Sequence, residues 1–215
     1  MTTAKSNTEG LSSGKSIVID GVGGQGVRVI GNTMANLLAV MGYEVTLLYD
    51  YDSSVRGGMS EAFLRYDRKP IENFVVECAD VVLRLADRGP HHLSADYIIA
   101  DCDLVKPGEK GEEIPFLQLG VDKFGRDLFG NMIALGRLLC ICDVDFTDEH
   151  LRNALPKKYI EDNIAAIKYG YGLDGDAIKA IVPEQAASSF AGRYAERVLA
   201  GATPDEAVEQ AATRK

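Results

Sequence analysis

The stretch IVIDGVGGQGVRVIGNTMANLLAVMG, residues 17 to 42, combines a short apolar run, a cluster of glycines and a helical pattern. The residues from Ile17 to Ile19 are β-branched and precede turn residues, which predicts a short buried strand. Apolar residues recur three and four apart from Val27 onward, which predicts an amphipathic helix that ends at Gly42. The stretch therefore predicts a strand, a glycine loop and a helix, the repeating unit of α/β folds.

The glycine loop consists of five candidate binding residues: Gly21, Gly23, Gly24, Gln25 and Gly26. Glycine accepts positive φ and leaves room for a ligand beside the backbone. The glycine spacing matches the dinucleotide-binding fingerprint, in which loop amides and the helix N-terminus receive phosphate. Asp50, at the end of the second predicted strand, stands where that fingerprint has an acid for a ribose hydroxyl. The alternative is a tight turn that only packs strand against helix, and the sequence leaves both interpretations open.

Composition and charge exclude several classes of protein. The 215 residues are 46% hydrophobic and 26% charged, which predicts a globular protein of about one domain. Acidic residues outnumber basic ones by 32 to 23, and no basic stripe is present, so nucleic acid is not an expected partner. No apolar run has the ~18 residues of a transmembrane helix, and the start lacks a signal-peptide core. We therefore expect no membrane span and a cytoplasmic location.

The sequence predicts neither a metal site nor a catalytic residue in this chain. No CxxC pair occurs among the four cysteines, which disfavours an iron–sulfur cluster and favours reduced, buried thiols: Cys78, Cys102, Cys140 and Cys142. His91 and His92 adjoin a proline turn, and His150 lies in a predicted helix, so structural or exposed roles are expected for all three. The nucleophile-elbow, zinc-protease and Walker motifs are absent from the sequence.

The remaining pattern predicts a three-layer α/β/α sandwich with a mostly parallel, Rossmann-like sheet. Further strands are expected at 44–49, 61–66, 80–86, 97–105 and around Phe116 to Leu119, and helices at 127–143, 148–155 and 157–169. Thr147 is expected to cap the second of these helices, and Thr203 with Pro204 to begin a C-terminal one. This divides the chain into a mobile leader (1–15), an α/β domain (16–172) and a helical extension (173–215).

Four motifs, in this order along the chain, resemble the gamma subunit of 2-oxoacid:ferredoxin oxidoreductases. They are GVGGQGV at 21–27, RGGMS at 56–60, NMIALG at 131–136 and NIAAIKYGY at 163–171. The resemblance covers roughly residues 16 to 172. Ser54 departs from it, since many relatives have Glu or Gln two residues before the arginine of RGG.

The resemblance implies a function in a larger enzyme. In that family the assembled enzyme decarboxylates a 2-oxoacid on thiamine diphosphate, passes electrons through iron–sulfur clusters to ferredoxin and forms an acyl-CoA. The gamma part carries neither thiamine nor a cluster of its own. The implied partners are therefore the thiamine-binding and ferredoxin-like chains, and no cofactor is expected on this chain alone. Residues 172–177, GLDGDA, lack the second glycine of a thiamine motif and are expected to form a turn.

The sequence also predicts a binding cleft that joins the glycine loop to Arg56, Gly57 and Gly58. A guanidinium beside two glycines suits carboxylate or phosphate. The loop follows the first strand and RGG the second, and in a parallel sheet both connections leave at the carboxyl edge. Given the resemblance, CoA is the leading ligand and a partner's carboxylate the next. A free-standing nicotinamide- or flavin-dependent oxidoreductase, and a scaffold whose loop only packs, remain alternatives.

Overall fold

A computed structural model of the chain describes residues 14–51, 58–86, 94–102, 104–106, 108–175 and 177–178. Most of the predicted leader, the extension beyond residue 178 with its expected helix at Thr203, Arg56, Gly57, His91 and His92 lie outside the described residues. The described elements are β1 (Lys15–Val22), α1 (Val27–Val40), β2 (Glu44–Tyr51), β3 (Met59–Asp67), β4 (Cys78–Arg84), β5 (Ser94–Ala100), β6 (Gly111–Glu113), α2 (Phe116–Phe124), α3 (Leu128–Ile141), α4 (Asp148–Ala154) and α5 (Ile160–Tyr171).

The six described strands form one sheet in the order β2-β3-β1-β4-β5-β6. Parallel pairs join β1 to β4, β4 to β5 and β5 to β6, whereas β3 is antiparallel to both β1 and β2. Five of these strands therefore share one direction, and the predicted α/β fold with a mostly parallel sheet is confirmed. The strand order differs from that of dinucleotide-binding folds, in which the strand after the first helix lies beside β1. Here β3 lies between them.

The two faces of the sheet are covered by different elements, helices on one face and loops on the other. Ile17 and Ile19 belong to the main core, to which all five described helices contribute, while Val18 faces a smaller cluster on the other side. Loop residues such as Val76 and Leu104 pack in that smaller cluster. The described helices thus pack on one face of the sheet, and loops cover the described part of the other face. The described parts of the β3–β4 and β5–β6 connections are loops.

The strand predicted around Phe116 is wrong, because this segment begins α2. Its buried residues share the spacing of one helical face: Phe116, Leu117, Leu119 and Gly120. Pro115 precedes the helix with a φ of −74°, a value that a helix start accepts. The sixth strand is instead Gly111–Glu113, a polar segment with no apolar alternation to reveal it.

The core extends close to both ends of the described residues. Lys15 is the first residue of β1 and pairs with Tyr66 of β3. Leu173 and Ile178 are buried in the main core. The division into a leader, an α/β domain and a helical extension stays a prediction.

The predicted cap at the start of α4 is confirmed. Thr147 Oγ1 accepts a hydrogen bond from the His150 backbone amide at 3.2 Å, and His150 Nδ1 accepts one from the Thr147 amide at 3.4 Å. This reciprocal pair is a capping box. His150 thus has a structural role, as expected.

Candidate functional site

The glycine loop is shorter than its sequence pattern indicates. Gly21 lies within β1, opposite Ser60 of β3, so the loop itself is Gly23 to Gly26. Gly24 and Gly26 have φ angles of 100° and 79°, which L side chains rarely adopt. Gly26 is the N-cap of α1 and offers no side-chain cap, and the first turn of α1 holds no acidic residue. The positive end of this helix dipole therefore has no carboxylate of its own helix beside it.

Gln25 points into the protein rather than toward a ligand. Its side chain is 2% exposed. Its Oε1 accepts a hydrogen bond from the Val22 amide at 2.8 Å, and its Nε2 donates to the Leu85 carbonyl at 2.9 Å. The side chain thereby ties the loop to the residue that follows β4.

Gly58, the last residue of RGG, contacts the glycine loop. Gly58 is buried, and its carbonyl accepts a hydrogen bond from the Gly23 amide at 2.9 Å. Next to this bond, Val22 of β1 pairs with Met59, and Tyr51 of β2 pairs with Ser60. The segment that contains Arg56 and Gly57 consequently begins and ends at the carboxyl edge where the loop lies. The positions of those two residues themselves lie outside the described part of the chain.

Asn131 of the NMIALG motif lies directly against the loop. A Cβ atom built on Gly26 would fall 2.1 Å from Asn131 Nδ2, closer than any real contact. The first three motifs are therefore neighbours in space through two contacts, Gly23 with Gly58 and Gly26 with Asn131. Asn131 is not among the site residues that the sequence predicts, although a polar residue at the start of the otherwise apolar NMIALG motif is a signal for it.

A row of charged side chains crosses the sheet beneath this edge, on the face away from the helices. The strand register places four residues side by side: Asp50, Glu61, Asp20 and Arg84. Glu61 is 2% exposed, and its Oε1 has no hydrogen-bond partner among the described residues. Burial, and secondarily the charge of Asp50, raises the pKa of Glu61 to about 7. Arg84 donates two hydrogen bonds to Glu109, at 2.8 and 3.0 Å.

Asp101, just beyond the end of β5, is a further buried acid near this edge. Its carboxylate accepts a hydrogen bond from the Cys102 amide at 2.8 Å. Burial nevertheless raises the pKa of Asp101 to about 7, because desolvation of the charged form outweighs that bond.

The position of Asp50 does not match the dinucleotide fingerprint. That fingerprint requires the acid on the strand next to β1, and here β3 intervenes. With neighbouring strands about 4.8 Å apart, the strand that carries Asp50 lies roughly 10 Å from β1. Asp50 instead pairs with Glu61 in the charged row.

The described part of the chain offers no group of His, Cys, Asp and Glu suited to a metal ion. The four cysteines are free thiols, and Cys102 and Cys142 are buried. Burial raises the pKa of Cys142 to about 12, so its thiol is not a ready thiolate ligand. Among the described helices, none is both long and apolar enough to cross a bilayer.

The fold and the loop together define an α/β protein with an open helix N-terminus at the carboxyl edge of its sheet. Residues 16–173 match the family model described as pyruvate ferredoxin/flavodoxin oxidoreductase. The chain belongs to this family, and the resemblance seen in its motifs is confirmed. A curated relative is the 2-oxoglutarate synthase subunit KorC of Archaeoglobus fulgidus, 30% identical over 162 residues, which are 72% of this chain and 85% of that one.

Solved structures with the same fold come from the same group of enzymes. The gamma subunit of a keto/oxoacid ferredoxin oxidoreductase from Geobacter sulfurreducens has a TM-score of 0.58 at 20% identity, over 73% of this chain and 96% of that one. The pyruvate oxidoreductase subunit PORC from Thermotoga maritima also scores 0.58, at 21% identity, over 74% and 96%. A 2-oxoglutarate:ferredoxin oxidoreductase from Magnetococcus marinus, with 2-oxoglutarate, coenzyme A and succinyl-CoA bound, scores 0.56 at 18% identity, and this chain spans 32% of it.

Proposed function

We propose that this chain is the gamma subunit of a multi-subunit oxidoreductase that oxidatively decarboxylates a 2-oxoacid to an acyl-CoA and delivers electrons to ferredoxin or another acceptor. Family membership and the names of the relatives support the enzyme class. In this proposal the chain supports the active site and binds CoA, while partner chains hold thiamine diphosphate and iron–sulfur clusters. A cytoplasmic location stays a prediction.

The observation that carries the binding role is the hydrogen bond from the Gly23 amide to the Gly58 carbonyl. It joins the glycine loop to the segment that supplies Arg56, as a cleft for phosphate requires. The start of α1 contributes its dipole and backbone amides, and the absence of acids from its first turn favours an anion there. CoA is the phosphate-bearing substrate of the proposed reaction, and coenzyme A is bound in the Magnetococcus marinus structure.

The four cysteines of this chain do not suit an iron–sulfur cluster. An iron–sulfur cluster needs several thiolates close together, whereas Cys102 and Cys142 are separately buried and Cys78 is exposed. Thiamine diphosphate and the clusters supply decarboxylation and electron transfer when bound to the partners. The role proposed for this chain is limited to binding the phosphates of CoA with loop amides and Arg56, and to orienting CoA toward that chemistry.

Two other functions compete with this one. A free-standing nicotinamide or flavin enzyme is disfavoured because β3 separates Asp50 from the glycine loop. A loop that only packs remains the competing structural hypothesis, since Gln25 and Asn131 already show that part of the motif serves packing.

The test is kinetic analysis of the enzyme reconstituted with its partner subunits. Gly24→Val and Arg56→Ala should each raise the KM for CoA about tenfold or more, or weaken assembly, without unfolding the chain. The matched controls are Gly108→Val, at a glycine with positive φ and open space, and Arg152→Ala, at an exposed ion pair with Glu161. If both test variants keep the wild-type CoA dependence, turnover and assembly, the loop is structural only.

A second measurement tests the subunit role. The isolated chain should not reduce ferredoxin or a viologen dye with any 2-oxoacid, and it should show no visible chromophore. A purified monomer with that activity would overturn the proposal.

A further inference from the structure

The sheet face opposite the helices, called here the outer face, carries an apolar row beside the charged one. The register aligns Leu48 of β2 with Phe63 of β3, then with Val18 and Val82. Toward β4 and β5 this row is buried by the smaller core cluster. At β2 it is open, because Leu48 is 50% exposed.

Two further apolar side chains lie on the outer face near β3. Arg65 of β3 donates hydrogen bonds to the carbonyls of Asn73 at 2.8 Å and Val75 at 3.2 Å, which holds that loop along the strand. Phe74 and Val75 are 54% and 60% exposed there. The three most exposed large apolar side chains among the described residues are therefore Leu48 of β2 and, in the loop that Arg65 holds against β3, Phe74 and Val75.

The strand β2 is also the edge of the sheet. No described strand pairs with its outer side, although it is eight residues long. Its inner-face residues Val45, Leu47 and Tyr49 are only half-buried, unlike those of the neighbouring β3. A long, partly apolar edge with unpaired backbone groups is a template for an added strand.

The charge of this edge indicates what kind of strand it accepts. Glu44 and Asp50 lie on β2, which has no basic residue, and Asp50 lies next to the buried Glu61. Asp50 is exposed whereas Glu61 is buried, so Asp50 is the acid of this pair that a partner can reach. A second copy of this chain, with formal charge −9, would bring more acids to the same edge. A basic segment would complement it.

We propose that β2, together with Leu48, Phe74 and Val75, is the docking surface for a partner subunit. The partner contributes an extended segment that adds to the edge of the sheet, covers the exposed apolar side chains and places a Lys or Arg beside Asp50. This inference rests on the proposed function only in taking the chain to be one subunit of a larger enzyme. The inference adds the surface through which this chain binds a partner subunit, and it adds the chemistry of the partner's segment.

The test uses the complex co-purified from cells that express all subunits. Leu48→Asp and Asp50→Lys should each weaken assembly about tenfold or more, as loss of a central interface contact does. The melting temperature of the chain alone should stay within about 2 °C, because both side chains are exposed. The controls are Val40→Asp, at a similarly exposed apolar residue on α1, and Asp122→Lys, at an exposed acid on α2, and both should assemble normally.

Hydrogen exchange separates the possible occupants of the edge. Amides of residues 44–51 should exchange more slowly in the complex than in the isolated chain. Equal protection in the isolated chain would assign the edge to this chain's own residues, and loss of a homodimer in the variants would assign it to a second copy. Either result overturns the proposal, as does normal assembly of both test variants. A wild-type chain that binds no other subunit would instead overturn the proposed function, and the docking surface with it.

Discussion

Gly136 of α3 and Gly170 of α5 each lie against the backbone of the other helix. A Cβ atom on Gly136 would fall 2.0 Å from the Ile167 carbonyl oxygen, and one on Gly170 would fall 2.0 Å from that of Ile133. The close approach of the two helices is therefore reciprocal. It explains why NMIALG and NIAAIKYGY each contain a glycine, since the two helices touch where neither has a side chain.

Substitution at this crossing should destabilise the chain. Gly136→Ala and Gly170→Ala should each lower the free energy of unfolding by about 1–3 kcal/mol, because the methyl group meets backbone that cannot move aside. This destabilisation exceeds the ~1 kcal/mol by which alanine is otherwise more favourable than glycine in a helix. Urea denaturation measures it. The control is Gly175→Ala, where nothing lies within 4 Å, and an equal effect there would contradict the explanation.

Two constraints act at Gly26, its positive φ and the nearby Asn131 side chain, and different variants can distinguish their effects on stability. Gly26→Ala meets both a φ of +79° and the Asn131 side chain, whereas Gly125→Ala meets a φ of +75° with open space around it. Gly26→Ala should therefore lose more stability than the ~1 kcal/mol expected for Gly125→Ala from φ alone. Adding Asn131→Ala should remove most of the excess. A double-mutant cycle by thermal denaturation measures this coupling, and strict additivity would show that the contact is unimportant.

Gln25 is predicted to be a structural brace. Gln25→Met keeps the approximate volume and removes both hydrogen bonds, to the Val22 amide and the Leu85 carbonyl. It should cost about 1–3 kcal/mol of stability, because two buried backbone groups lose their partners. Chemical denaturation measures the cost. Wild-type stability combined with a changed KM for CoA would show instead that Gln25 acts on the ligand.

The buried acids predict how stability depends on pH. The pKa values of Glu61 and Asp101 are raised to about 7 in the folded protein, so the folded state holds protons that the unfolded state releases near pH 4. By linkage, the stabilisation is present below the unfolded pKa values and is lost as pH rises to about 7. Each group should account for up to roughly 4 kcal/mol of that loss.

Variants that cannot ionise test this dependence. Glu61→Gln and Asp101→Asn should be more stable than wild type at pH 8, by about 1–3 kcal/mol, and similar to it at pH 4. Glu149→Gln, at an exposed acid of α4, is the control and should leave the profile unchanged. Denaturation midpoints across this pH range give the profile. A wild-type stability that rises between pH 5 and 7 would contradict the sign.

The first strand, loop and helix, the cap at Thr147 and the family were predictable from the sequence. Each of these depends on neighbouring residues: β-branched runs, glycines, a capping side chain and motifs in order. The same local rules misjudged Phe116, where a short apolar run fits either a strand or a helical face. They also missed β6, whose Gly111–Glu113 has no apolar alternation.

The strands and side chains that lie next to each other could be read only from the three-dimensional structure. The antiparallel β3 lies between β1 and β2, which removes Asp50 from the glycine loop, and Gln25 turns inward to Leu85, 60 residues away in sequence. The contacts of Gly26 with Asn131 and of Gly136 with Ile167 likewise join distant segments. Such pairings depend on packing and hydrogen bonds between elements, and local propensity contains no information about them.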